Sequence, residues 1–238
     1  MYRRSLLALL PACLAMPRAF AQGTAAPKYV VLSLIGDELT YVGKEGEQVG
    51  TNLNHNRHES LPTKSDLWDV TALQVIASVV PKAAPGASMS FLKGSLPEYF
   101  SDQVDWFGGG QLKLPDPLKA AVDGEHASFL LLLTKWRGDA IISDGHASRG
   151  QGKLSGLGFY SDPTQKMAGG PHGDGFTAPY VYAKLSLVDL STQRLAREVT
   201  IQRAEPGSYF KFSKGALQDL LIAGVQDATA QVLATGPT

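Results

Sequence analysis

The chain has 238 residues, 22 of them basic and 22 acidic, with five histidines and a single cysteine, and 44% of it is hydrophobic. That charge balance argues against nucleic-acid binding, which needs a basic stripe. One cysteine excludes a disulfide framework and a thiolate zinc site, while the length and apolar share fit one domain with a substantial core.

The first 21 residues read as a signal peptide. Met1-Tyr2-Arg3-Arg4 is a short basic start, Ser5 to Met16 is mostly apolar, and Ala19-Phe20-Ala21 is a small-x-small cleavage pattern before Gln22. The apolar part is too short to anchor the chain across a bilayer, so no transmembrane helix is expected in the mature protein. Removing Arg3, Arg4 and Arg18 and no acid takes the neutral chain to about −3. The cleaved piece also carries away Cys13, leaving no cysteine nucleophile. Arg3-Arg4-Ser5-Leu6-Leu7, with Arg18 near the cleavage point, resembles a twin-arginine signal, which exports folded protein. The alternative is a general secretory signal that contains two arginines. Leu10-Pro11-Ala12-Cys13 resembles a lipobox, but its proline and the short apolar run before it argue against a lipid anchor at Cys13.

Residues 22–27 form a linker, and 28–238 are expected to make one globular domain. Tyr29 to Ile35 is rich in β-branched and apolar residues and ends at Gly36, predicting a buried first strand. Glu38 to Val42 extends it or returns as a hairpin partner. Gly43 to Glu47 reads as a turn, and Gly50 to Lys64 as a polar loop. Ser65-Asp66 offers a helix start, and Leu67, Val70, Leu73, Ile76, Ala77 and Val80 recur at helical spacing up to Pro81. Ala87 to Leu92 is a short strand, Gly94 to Pro117 is irregular, and Pro117 to Val122 is a short helix.

The run Phe129-Leu130-Leu131-Leu132-Leu133 is short and continuously apolar, as a strand buried on both faces reads. It is expected to be the central strand of a sheet covered by helices. Asp139 to Ser143 continues it as a ribbon. Glycines then dominate residues 145–175, which read as a long loop, either ordered and functional or a mobile flap. Tyr180 to Leu190 alternates as a half-buried strand, turns at Asp189 to Gln193, and returns over Arg194 to Gln202 as a hairpin. Ser213 to about Leu233 closes the chain as a helix, with Leu217, Leu221, Val225, Ala228 and Val232 on one face. The result is a single-domain α/β fold, a mixed sheet flanked by helices, ending in a β-hairpin followed by a long helix.

That element order resembles the envelope α/β domains found at the amino terminus of the TolB translocation protein and in lipoprotein activators of penicillin-binding proteins. Gly150-x-Gly152-Lys153-Leu154-Ser155-Gly156-Leu157-Gly158-Phe159-Tyr160 resembles a signature of uncharacterised exported proteobacterial proteins. Both resemblances imply an envelope location, and neither implies an activity. Gly36-Asp37-Glu38 resembles the strand-end Gly-Asp-Ser of SGNH hydrolases, but Glu38 stands where the serine nucleophile belongs and no Asp-x-x-His block follows.

Two constellations are candidates for chemistry. Asp37, at the end of the first strand, and Arg137, after the central strand, fall where α/β sheets place ligands. Arg149 and Lys153 would add charge to the glycine loop, which lacks both the glycine and the Ser/Thr of a P-loop. Trp106, Phe107, Trp136, Phe159 and Tyr160 would line an apolar groove, or else cap the core. The second constellation is His55, His58, Asp144, His146 and His172, imidazoles and a carboxylate that suit a divalent ion, although none has the His-Glu-x-x-His spacing.

These residues support two readings. One is a non-enzymatic periplasmic or secreted envelope module that binds a partner protein or small ligand, without a cofactor. The other is a metal-dependent hydrolase, which requires the histidines and Asp144 to converge on one ion.

Overall fold

The computed structural model describes residues 26–44, 56–142, 150–163, 175–208 and 214–234. Its frame begins with β1 (Lys28–Leu34), which lies between β4 (Ser88–Lys93) and β7 (Phe129–Lys135), parallel to both. The four leucines of β7 explain why it sits inside. Leu131 and Leu133 pack with Trp68, Ala72 and Ile76 of α1 (Leu67–Ala83) and with Leu217 and Leu221 of α3 (Lys214–Leu233). Leu130 and Leu132 point the other way, onto Tyr99, Trp106, and Leu118 and Val122 of α2 (Asp116–Gly124). Burying each such leucine contributes about 2 kcal/mol, on both faces of one short strand.

The organising strand is the longer β10 (Phe176–Asp189), which exchanges neighbours half-way along. Ala183 to Asp189 pair antiparallel with β7, whereas Phe176 to Tyr182 pair antiparallel with β9 (Lys153–Asp162). On its other side β10 pairs with β11 (Arg194–Ala204) and, at its start, with β12 (Gly207–Ser208). Outside β9 lie β2 (Glu38–Lys44), parallel to it, and β3 (Asn56–Pro62), antiparallel to β2. The sheet therefore forks: β4, β1 and β7 form one branch, β9, β2 and β3 the other, and β10 and β11 form the stem. A short ribbon, β5 (Phe107–Gly108) and β6 (Gln111–Leu112), meets β11 at Arg194. Beyond β7 the chain turns into β8 (Arg137–Asp139), which pairs with the start of β9.

This is the mixed α/β architecture the sequence implies, with three α-helices among the described residues, the last of them the long helix that follows the strands. Four local expectations change. Residues 56–62, taken as polar loop, are the edge strand β3. Nearly all its side chains are exposed, so it carries no apolar period and is held by its ladder with β2. Residues 153–162, taken as part of a glycine loop, form β9. Its Gly158 lets β2 approach, since a Cβ there would lie 1.9 Å from the Thr40 carbonyl oxygen. β10 begins at Phe176 and is buried on both faces, not half-buried, because α3 covers one side and the 97–142 region and β8 the other. Glu38 to Val42 pairs with β3 and β9, not back onto β1. α1 runs past Pro81, the expected stop, to Ala83, although Pro81 has no N–H to donate to the Ala77 carbonyl.

The β9 branch is held by polar groups as well as packing. Tyr182 Oη donates to Asp139 O at 2.9 Å and accepts from Ile141 N–H at 2.9 Å, fastening β8 to the stem. Tyr180 Oη donates to Thr40 O, and burial keeps this phenol protonated by pushing its pKa upward. Lys44 Nζ and Asp162 Oδ2 form a nearly dry ion pair at 3.2 Å.

Candidate functional site

Both candidate sites lie where the parallel strands β1, β4 and β7 end. There the chain between β4 and α2 passes across the strand ends in two short 3₁₀ turns, Pro97–Phe100 and Gln103–Trp106. Its anchor is Gln103. The buried amide donates to Leu34 O at 2.9 Å and Tyr99 O at 2.8 Å, and its oxygen accepts from Lys135 N–H at 2.8 Å. One side chain thus satisfies the last carbonyl of β1 and an amide at the end of β7, and pins the crossing segment above them.

The larger cleft, about 630 Å³, lies between this segment and the fork of the sheet. Its outer wall is Phe100, Asp102, Val104, Phe107 and Gly110, and its floor is Thr134 to Arg137, Ser155, Lys184, Leu195 and Glu198. Val104 is 86% exposed, an apolar side chain held in solvent at the rim. Trp136 is fixed on two sides. It stacks on Tyr182 with centroids 5.7 Å apart and 14° between planes, and its ring covers Gly138 so closely that a Cβ there would meet Cη2 at 2.1 Å.

Most of the cleft's charge is neutralised internally. Lys135 Nζ, only 14% exposed, lies 2.7 Å from Asp37 Oδ1 and 3.0 Å from Glu38 Oε1. Lys184 Nζ lies 3.0 Å from Glu198 Oε1. Arg137 and Asp102, both exposed, form no ion pair among the described residues.

The second cleft, about 530 Å³, opens at the ends of β1 and β4 beside the start of α1. It is lined by Asp37, Glu38, Lys64, Asp69 and Lys93 among others. Asp69 accepts from Ser33 Oγ at 2.6 Å and Ile35 N–H at 3.0 Å. Burial pushes its carboxyl above the usual carboxylate range, against those hydrogen bonds and one from the Gly36 amide. For Glu38, burial works upward too, but hydrogen bonds from Ser60 and Lys135 and the lysine charge hold the carboxyl below that range. This group of carboxylates is therefore committed to neighbouring backbone, hydroxyls and Lys135.

The sequence candidates are dispersed over this frame. Arg137 and Trp136 line the larger cleft and Asp37 the smaller, with Lys135 tying Asp37 to the floor between them. Lys153 pairs with Asp139 at 2.6 Å across the β8–β9 ladder. Tyr160 is wholly buried in the β9 branch, and Phe159 packs against the main core, so these two build the fold. Trp106 is a core residue, while Phe107 reaches the cleft. His58 is exposed on β3; Arg149, His55, Asp144, His146 and His172 lie outside the described residues. Among the described residues no three His, Cys, Asp or Glu side chains come together as a metal site would require.

Sequence reading missed Phe100, Gln103, Lys184, Leu195 and Glu198. Only one signal was available: the hairpin sets Ser186 opposite Glu198, which puts Lys184 one diagonal step away with opposite charge.

No protein-family model matches the chain, and no curated protein does. Solved structures similar to it include a Xanthomonas campestris protein of family DUF330, at 9% identity over 87% of this chain and 81% of that one, TM-score 0.38. A homologue of a neuraminyllactose-binding hemagglutinin from Helicobacter pylori shares 12% identity over 89% and 88%, TM-score 0.40. The PelC dodecamer from Paraburkholderia phytofirmans shares 10% over 88% and 91%, TM-score 0.34. At these scores neither family nor activity is taken from them. No helix among the described residues is long and apolar enough to cross a membrane.

Proposed function

We propose that this chain is an exported, envelope-associated module that binds a ligand or partner in the cleft between the fork of the sheet and the 97–110 segment, and performs no chemistry on it. One observation carries the reading. The cleft has aromatic residues on its outer wall and its floor, the floor tryptophan fixed on Tyr182 and the wall pinned by Gln103, while its lysines are already neutralised by Asp37, Glu38 and Glu198. Such a site is shaped for occupation, with few polar groups left to orient what enters. The amino-terminal signal supports an envelope location, by either the twin-arginine or the general route. The resemblances to TolB-like and uncharacterised exported proteins agree with that setting. The alternative of a metal-dependent hydrolase using His55, His58, Asp144, His146 and His172 has no observation behind it, so no cofactor is proposed.

The test is native mass spectrometry, with elemental analysis, on mature protein purified from the envelope fraction without chelators. The expected result is a retained non-covalent mass that is lost on Trp136→Ala and contains no stoichiometric metal. A bare chain mass for the wild type, or a bound mass indifferent to Trp136→Ala, counts against the cleft. A stoichiometric divalent metal lost on His58→Ala would replace this reading with the hydrolase.

A further inference from the structure

Resting on the cleft as the binding site, we infer that its occupant is a small amphiphile with one anionic head group, seated with the head at Arg137 and an apolar body running toward Leu195. The strand register gives the cleft its direction. Lys135, the residue before Trp136 and Arg137, stands opposite Ala183 of β10, whereas Leu195 stands opposite Val188, five residues further along the same strand. At about 3.3 Å per residue, roughly 16 Å separates the two ends.

The ends differ in chemistry. Leu195 lies beside Gly110, whose carbonyl accepts its amide at 3.0 Å, and Phe107, on the β5–β6 ribbon that Gly110 turns, lines the same cleft, so this end is apolar. The other end has Arg137 paired in register with Ser155, and both line the cleft together with the fixed Trp136. Between them the floor is Lys184 and Glu198, which neutralise each other at 3.0 Å and leave no net charge for a ligand to answer. Lys135 is likewise answered by Asp37 and Glu38.

Among the described residues, Arg137 is therefore the cation on the cleft that no carboxylate neutralises, and a guanidinium suits a planar or tetrahedral oxyanion. Asp102 on the outer wall is the other charge of the cleft without an ion pair among the described residues, and it repels an anion placed near it. A single negative charge is thus accepted at one end only. A neutral apolar ligand would leave Arg137 unanswered, and a dianion would find no second unpaired cation among the described residues of the cleft.

The experiment is isothermal titration of the mature protein with decanoate, kept below its micelle concentration, and with decanol as the uncharged counterpart of equal chain length. Decanoate is expected to bind with one-to-one stoichiometry, about tenfold more tightly than decanol. Arg137→Ala should bring decanoate down to the affinity of decanol and leave decanol unchanged, while Arg137→Lys restores part of the difference. Leu195→Ser should weaken both probes together. Equal affinities for the two probes, unaltered by Arg137→Ala, would overturn the anionic head group while leaving the cleft reading intact. Binding of neither probe would overturn the amphiphile altogether; a co-purifying mass that Trp136→Ala removes would then still support the cleft, and its absence would remove both. Decanoate binding that Leu195→Ser does not touch would place the amphiphile elsewhere on the molecule.

Discussion

The two strands that share one side of β10 meet the same demand by opposite means. β7 fills both faces with leucine and needs almost no polar help, the bond from its end to Gln103 being the exception. β9 carries two glycines and two serines within its length. Its branch relies on tyrosine hydroxyls that reach backbone groups of β2 and β8, and on a dry lysine–aspartate pair. One branch is held by non-directional burial and the other by directional contacts, which tolerate small displacements poorly. The binding cleft lies where they separate.

Substitutions that remove either kind of support separate the branches. Leu132→Ala should cost most, about 4 kcal/mol, because the residue is wholly buried between the sheet and the α2 side. Urea unfolding measures the loss, and hydrogen exchange should rise first in β1, β7 and α2. Gly158→Ala should cost about 3 kcal/mol, since its methyl group would meet Thr40 O and lie 2.7 Å from Tyr180 Oη, forcing β2 away from β9. Here exchange should rise in β2, β3 and β9 instead. If both variants loosen the same amides, the two branches are one cooperative unit and the contrast fails.

Smaller changes probe the polar bridges. Gln103→Ala should cost about 2 kcal/mol by leaving Leu34 O and Lys135 N–H unpaired, and should free the 97–106 segment to exchange. Tyr182→Phe should cost about 1 kcal/mol and loosen β8 alone.

The smallest effect is one of pH. Folding raises the Asp69 pKa, so the folded protein holds that proton more firmly than the unfolded chain. Its contribution to stability is complete below the unfolded value, near 3.8, and is lost as pH rises through the folded value. The stability difference between wild type and Asp69→Asn should therefore move in favour of wild type on acidification from neutral pH, as urea titrations at several pH values would measure. A difference independent of pH would mean that Asp69 does not titrate differently on folding.

How much of this was legible follows from the same contrast. The leucine run, the periodic faces of α1 and α3 and the hairpin each advertise a burial pattern, and they were readable residue by residue. β9 was not, because its glycines serve close approach to a neighbouring strand, and close approach leaves no periodicity in the chain. β3 was missed for want of an apolar face. At the site, Trp136 and Arg137 stood out as an aromatic and a cation after a central strand. Gln103 had no signal at all: a glutamine in an irregular segment becomes essential only when two strand ends happen to lie beneath it. Tyr160 reads from sequence as either a groove aromatic or a core cap, and the neighbours that decide for the core come from β10 and from Ala140 and Ile142, far away in the chain.

The most direct measurement is hydrogen exchange on protein purified from the envelope fraction, compared with the same protein unfolded, stripped of small molecules and refolded. An occupied cleft should slow exchange in the envelope-purified sample at residues 97–112 and 134–137 and leave β3 and α3 unchanged. Slowing centred on β3 or on the 64–69 cleft, or no difference between a loaded and a stripped sample, would contradict the account.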